Sequence, residues 1–266
     1  MFQIVFSDVD GTLLNDQHKI TPLTLQAIKN IQNQGISFVI VSARSPSGIY
    51  PILQYNYLQC PIIAYSGALI MDKRKNILYE KGMNTDNAIH ILKYIEQMKF
   101  DISWCVYSFD QWIVKDRKDS RIQREESVVK AISQEGTLQT ISTLPTVHKI
   151  LCICHPDQIL YIERSLKEKF SQLTIVKSSS ILIEIMEQNI SKASAIEKFC
   201  KIEKIDKDCA IAFGDQYNDL EMLKTVGYGY AMGNAPSEIK KEIEKITLDN
   251  NHDGIFEALK CLNLLK

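Results

Sequence analysis

Phe2-Gln3-Ile4-Val5-Phe6 is a short run, mostly apolar and β-branched or aromatic, and it stops at a glycine turn. Such a run reads as a buried strand. The residues that follow, Ser7-Asp8-Val9-Asp10-Gly11-Thr12-Leu13-Leu14, place two carboxylates where the strand ends. In an open α/β sheet, ligands bind in the crevice outside the carboxyl ends of the strands. Gly11 permits a sharp turn and close approach of backbone N–H groups to a ligand. Asp8 can then point into the crevice as a nucleophile or metal ligand, and Asp10 can reach the same space from another side. Two ionised carboxylates in one pocket repel, and either a divalent cation or a proton on one of them offsets the repulsion. The plain alternative is a pair of solvated turn residues. An EF-hand loop fits poorly, because its sixth position needs Gly and, counted from Asp8, is Leu13.

The rest of the chain repeats that first step. Thr21-Pro22 opens a helix with Leu25, Ile28 and Ile31 on one face and Gly35 as its stop. Ile36–Val41 is a second buried strand, ending at Ser42-Ala43-Arg44, and a helix is expected from Ser47 to Leu58. Pro61–Tyr65 is a third strand, ending at Ser66-Gly67, with a small hairpin turning at 72–76. Strand, helix, strand, helix, strand is the start of a parallel, right-handed βαβ sheet. The pattern changes near Lys81-Gly82. Helices at 84–98, 119–134 and 156–170 alternate with strands near 102–107, 111–115, 147–154, 173–177 and 181–186. Paired strands separated by helices suggest an α+β module with an antiparallel sheet. The βα rhythm returns with a helix from Ser191, a strand over Cys209–Phe213, the segment Gly214-Asp215-Gln216-Tyr217-Asn218-Asp219, a strand over Tyr228–Met232 and a last helix from Asp253. The expected fold is α/β: a doubly wound parallel-sheet core from residues 1–81 and 187–266, with an inserted α+β cap domain at 82–186.

The chain has 266 residues, 45% hydrophobic and 24% charged, as in a globular domain or two. A formal net charge of −1 offers no electrostatic argument for nucleic acid or an anionic membrane surface. No apolar run is long enough to span a bilayer, and no basic leader precedes the first strand. The seven cysteines are odd in number and scattered, which fits reduced thiols and a cytoplasmic protein rather than a disulfide framework. Cys152 and Cys154 read as small core residues. Trp104 and Trp112 read as packing residues of the insert, Glu184 and Glu187 as surface, and no histidine shows ligand spacing.

Polar clusters therefore follow strand after strand: Asp8 with Asp10, Ser42 with Arg44, and Asp215 with Asn218 and Asp219. Lys192 stands at the start of a helix. In a parallel sheet these ends open on one side. Asp8, Asp215 and Asp219 are hard oxygen donors suited to Mg²⁺. A hydroxyl, an ammonium and backbone N–H groups suit a phosphoryl group.

Asp8-Val9-Asp10-Gly11-Thr12, then Ser42, then Lys192, then Gly214-Asp215-x-x-Asn218-Asp219 resembles the four motifs of the haloacid dehalogenase superfamily. The size and position of the insert resemble the α/β-capped, Cof-type (subfamily IIB) phosphatases. The resemblance implies that Asp8 attacks phosphorus to form an aspartyl-phosphate and that Asp10 protonates the leaving alkoxide and then activates water. It implies phosphoryl contacts from Ser42 and Lys192, and Mg²⁺ between Asp8, Asp215 and the backbone carbonyl of Asp10, supported by Asp219. Asn218 would position phosphate or Lys192, and Arg44 would bind substrate or pair with a carboxylate. Ser42-Ala43-Arg44 stands where Thr-Gly-Arg is usual, Ser66-Gly67 where Asn-Gly is common, and Ala193 where glycine usually follows the lysine. Ser66 and Gly67 are accordingly placed near phosphate or substrate.

The expected protein is a Mg²⁺-dependent phosphomonoesterase for small phosphorylated metabolites, most of all sugar phosphates, with the cap as a lid that selects the leaving group. It is expected to be a monomer or weak homo-oligomer, with no nucleic-acid or membrane partner. The rivals are a phosphatase for flavin or pyridoxal phosphate, a phosphomutase, and a non-catalytic phosphate-sensing module built like a receiver domain. The last leaves the large insert and Asp10 without a purpose.

Overall fold

The computed structural model describes residues 2–129 and 131–265; Met1, Lys130 and Lys266 lie outside the described residues. The chain forms two compact units. One comprises the described parts of Met1–Arg44, Ile49–Tyr79 and Ser191–Lys266, the other Ser45–Gly48 and Glu80–Ile190. The second unit is wider at both ends than the 82–186 read from the sequence.

In chain order the first unit begins β1 (Ile4–Ser7), α1 (Pro22–Asn33), β2 (Ser37–Val41), α2 (Pro46–Tyr55), β3 (Ile62–Ala64), β4 (Leu69–Met71) and β5 (Ile77–Glu80). The inserted unit follows with α3 (Thr85–Gln97), β6 (Ile102–Ser108), β7 (Gln111–Val114), α4 (Ser120–Val129), β8 (Gln134–Glu135), α5 (Leu138–Ser142), β9 (Lys149–Cys154), α6 (Ile159–Lys169), β10 (Thr174–Lys177) and β11 (Leu182–Met186). The chain then completes the first unit with α7 (Lys192–Glu203), β12 (Ala210–Gly214), α8 (Leu220–Thr225), β13 (Tyr228–Ala231), α9 (Ser237–Glu242), β14 (Lys245–Ile246) and α10 (Gly254–Cys261).

The first unit is built on an eight-stranded sheet of order β14-β13-β12-β1-β2-β3-β4-β5. β1 is buried throughout and lies between two parallel partners, with Ser7 opposite Phe213 of β12 and Ile40 of β2. β2 pairs in parallel with β3, and β3 turns back antiparallel into β4. The ladder runs one residue past the strands, through Asp8 N–H to Phe213 O (3.0 Å) and Ser42 N–H to Ile63 O (2.8 Å). The residues that leave β1, β2, β3 and β12 therefore emerge on one edge. Around this sheet, Ile4, Phe6, Val39, Val41, Ile196, Phe199 and Ala212 pack in one buried cluster. Burying such a side chain contributes about 1.5–3 kcal/mol. The helix starts follow their sequence signals: Thr21 Oγ1 caps α1 ahead of Pro22.

The inserted unit has its own six-stranded sheet, order β10-β11-β9-β6-β7-β8, antiparallel except for β7 with β8. Alternate residues Trp104, Val106, Ile150, Cys152, Ile183 and Ile185 form one buried cluster with Ile91, Leu92, Ile162 and Leu166 of α3 and α6. The intervening residues point to the opposite face. There Tyr107 and Trp112 stack with centroids 5.7 Å apart, Lys149 Nζ stands 5.2 Å from the Tyr107 ring, and Glu184 lies 3.6 Å from Lys149. Glu184 is thus buried, contrary to its assignment to the surface, because a strand residue next to a lysine can take its charge inside.

The helix expected over 119–134 ends at Val129, and Lys130 within that range lies outside the described residues. The chain doubles back because Ser133 N–H and Oγ both donate to Glu126 Oε1, at 2.8 and 2.7 Å. The two-residue β8 and the one-turn α5 then follow, where a helix was expected to end. All seven cysteines are free, and burial pushes the Cys60, Cys105 and Cys154 thiols up to about 12, so they stay protonated core residues. His148 is buried, and burial lowers it to about 4, leaving it neutral while its Nδ1 accepts from Phe109 N–H.

Candidate active site

The edge formed by β1, β2, β3 and β12 carries a set of charged side chains whose positions follow from local structure. β1 ends one residue before Asp8, which is buried. α7 begins at Lys192 because Ser191 and Ser194 close a capping box, each side chain accepting from the other's backbone N–H at 3.1 Å. Lys192 is 2% exposed, and its Nζ donates to Asp8 Oδ1 at 2.5 Å and to Asp219 Oδ1 at 2.6 Å. The other oxygen of Asp219 accepts from the backbone N–H groups of Asp215 (3.0 Å) and Gln216 (2.9 Å), which fixes the turn after β12. Asp215 is held in its turn by Thr12 Oγ1 on Oδ1 (2.8 Å) and by Gln216 Nε2 on Oδ2 (2.9 Å). Asp8, Asp215 and Asp219 offer carboxylate oxygens that all lie within 4.8 Å of one another.

Asp8 and Asp219 share the Lys192 ammonium here, Asp215 lies beside them, and all four side chains are buried. Burial, reinforced by Asp219 and Asp215, pushes Asp8 up to about 8 although Lys192 pulls the other way. Burial also raises Asp215, against the hydrogen bonds from Thr12 and Gln216. For Lys192 burial opposes the charge, but Asp219 and Asp8 together hold its ammonium above the usual lysine range. A buried excess of negative charge on hard oxygens fits a small divalent cation.

Asp10, half exposed, is gripped at both oxygens by Arg44, with Nε on Oδ2 at 2.8 Å and Nη2 on Oδ1 at 2.6 Å. Arg44 N–H donates to Ser42 Oγ (3.1 Å), and Ser66 N–H to Ser42 O (2.9 Å). Tyr65 and Ser66 both take left-handed conformations, φ 52° and 54°, and Gly67 follows at φ 119°. A Cβ on Gly67 would stand 2.6 Å from Ser191 O, so this turn packs directly on the start of α7. Asn218 is exposed on the short 3₁₀ turn Tyr217–Asp219. The structure thus gathers Asp8, Lys192, Asp215 and Asp219 in one cluster, and links Asp10, Arg44, Ser42 and Ser66 in a second chain of contacts. Asn218 hydrogen-bonds to neither among the described residues. The sequence reading left Gln216 and Asn234 without a role and named Thr12 only as part of a motif. Thr12 had a signal, since it lies inside the Asp8–Thr12 turn; the two amides had none.

Residues 5–259 match the family model of the haloacid dehalogenase-like hydrolases. The chain belongs to that family. By family it is a hydrolase, with the α/β fold of its solved neighbours. An inferred phosphatase of Haemophilus influenzae is 36% identical over 261 residues, which cover 98% of each chain. The crystal structure of a haloacid dehalogenase-like hydrolase from Bacteroides thetaiotaomicron superposes with a TM-score of 0.90 at 28% identity, over 98% of this chain and 100% of that one. A subclass IIB sugar phosphatase of the superfamily shares the fold, with a TM-score of 0.85 at 17% identity over 99% of this chain and 100% of that one.

Proposed function

We propose that this haloacid dehalogenase-like hydrolase is a Mg²⁺-dependent phosphomonoesterase that acts on small phosphorylated metabolites, sugar phosphates first, through an aspartyl-phosphate. The observation that carries the reading is the buried cluster in which Lys192 pairs with Asp8 and Asp219 beside Asp215. The Asp8 carboxylate is the nucleophile: one oxygen bonds to phosphorus while the leaving alkoxide departs on the opposite side. Lys192 takes up charge that develops on a phosphoryl oxygen, and Ser42 offers it a hydroxyl. Asp10, one turn further, donates a proton to the leaving oxygen and then removes one from the water that hydrolyses the acyl phosphate. Its carboxylate leaves Arg44 to do so.

Asp8, Asp215 and the backbone carbonyl of Asp10 would hold Mg²⁺. Both Asp219 oxygens are engaged, by Lys192 and by two backbone N–H groups, so Asp219 supports the site through these partners. When bound, Mg²⁺ neutralises the buried carboxylates and the phosphoryl charge. In this reading the inserted unit, at about 82–186, selects the leaving group. A sugar phosphatase among the structural neighbours supports the choice of substrate class.

The test is hydrolysis of p-nitrophenyl phosphate with and without Mg²⁺, followed by a panel of phosphorylated metabolites ranked by kcat/KM. Mg²⁺-dependent turnover that is lost in Asp8→Asn, with sugar phosphates leading the panel, is expected. Turnover unchanged in Asp8→Asn refutes the nucleophile, and a panel led by flavin or pyridoxal phosphate moves the substrate to the cofactor class. Phosphate release without a diphosphorylated activator separates hydrolysis from mutase transfer.

A further inference from the structure

Asn234 lies in the Gly233-Asn234-Ala235 turn after β13. Its Oδ1 accepts from the backbone N–H of Asn250 at 3.2 Å. That contact settles which way the amide faces, since its nitrogen is a donor and cannot accept there. Nδ2 is thereby aimed at two acceptors, Gly11 O at 2.8 Å and Asp215 Oδ2 at 3.3 Å. Asn250 in turn is buried, and its Nδ2 donates to Leu14 O at 3.0 Å and Asp16 Oδ1 at 3.2 Å. Two asparagines from the end of the chain thus hold carbonyls at both ends of the turn that follows β1. The space between is full: Gly11 has φ +82°, and a Cβ there would stand 2.4 Å from Asp215 Oδ2. Thr12 Oγ1 ties the turn to Asp215 Oδ1 at 2.8 Å, and Asn234 adds a second tie through Oδ2.

We propose that Asn234 is a positioning residue for the cation site, with Asn250 setting its amide. One –NH₂ group bonds both the turn that carries the Asp10 carbonyl and the carboxylate of Asp215, so together with Thr12 it sets the distance between two ligands that come from opposite ends of the sequence. It also loads Asp215 Oδ2 from a neutral donor without cancelling its charge. Hydrogen bonds to ligating carboxylates hold their orientation, and their loss typically costs about 10–100-fold in metal affinity. The inference rests on the Mg²⁺ reading above.

The test is a Mg²⁺ titration of wild type, Asn234→Ala and Asn251→Ala, read as the rise in Tm without substrate and as p-nitrophenyl phosphate turnover. Asn234 is exposed, so its truncation leaves the core intact, whereas Asn251 serves as a control because, next to Asn250, it accepts from Asp16 N–H and touches neither Gly11 nor Asp215. Asn234→Ala is expected to need about 10–100-fold more Mg²⁺ for half of either effect, with Tm in EDTA near wild type. Asn251→Ala is expected to titrate like wild type. A wild-type Mg²⁺ requirement in Asn234→Ala, or a lowered Tm in EDTA with that requirement unchanged, overturns the inference and leaves the cation reading standing. A wild type that responds to Mg²⁺ in neither readout overturns the cation reading and this inference with it.

Discussion

Asp8, the proposed nucleophile, is kept in check by its surroundings. Without a cation, burial and two neighbouring carboxylates raise it from 3.8 to about 8, so folding favours its protonated form. The stability it contributes is fully present below its ordinary value and is lost as pH rises through about 8. A cation replaces that proton, so the rise in Tm on adding Mg²⁺ should be small near about pH 5 and largest above about pH 8. Calorimetry across that range checks it, and Asp8→Asn should flatten the pH dependence; a Mg²⁺ effect equal at all pH values contradicts the assignment. Asp10 has the opposite character, exposed and tied to Arg44 at both oxygens. General acid catalysis contributes about 10²–10⁴-fold, but p-nitrophenolate leaves without a proton. Asp10→Asn should therefore release one rapid equivalent of p-nitrophenolate per enzyme and then stall, since the water step still needs a base. Stopped-flow absorbance reads this directly, and a steady linear release without a burst argues against the dual role.

At the scale of elements, the site depends on helix and strand ends being held together. Gly67 is the point where the end of β3 meets the first turn of α7, with Ser191 O in the way of any Cβ. Gly67→Ala combines that collision with an unfavourable φ and should cost about 1–3 kcal/mol. For a chain of this size that lowers Tm by about 2–4 °C per kcal/mol. Because the same turn carries Lys192, kcat should fall as well; an unchanged thermal scan contradicts this packing. Such ends are also where the sequence was most readable. Thr21-Pro22, Ser191 and the runs ending at Asp8, Ser42 and Asp215 announce caps and buried strands through residue type alone, so the core elements could be drawn without coordinates. β8 and α5 could not, because they are too short for a period and depend on the bond from Ser133 back to Glu126. Glu184 was misread for a related reason: its partner Lys149 lies on another strand, and only strand register brings them together.

At the scale of the whole molecule, the chain folds as two units with separate cores, and the charged cluster belongs to one of them. The first unit is assembled from both ends of the sequence: Lys192 lies 184 residues from Asp8, and Thr12 lies 203 residues from Asp215. Charged members of that cluster were legible because their spacing resembles a family pattern, whereas Asn234 and Gln216 were not, since a neutral amide gains meaning only from the acceptor it meets. The inserted unit carries the Tyr107–Trp112 stack and the buried Lys149–Glu184 pair, and it is the part in which selectivity among phosphate esters is proposed to reside. All of this presupposes one bond, from the Asp8 carboxylate to phosphorus. Acid-quenching the enzyme within milliseconds of mixing with a radiolabelled phosphate ester, followed by peptide mapping, tests that bond most directly. The account predicts a hydroxylamine-sensitive acyl phosphate on Asp8 that is absent from Asp8→Asn; label on another residue, or turnover with no labelled protein, would contradict it.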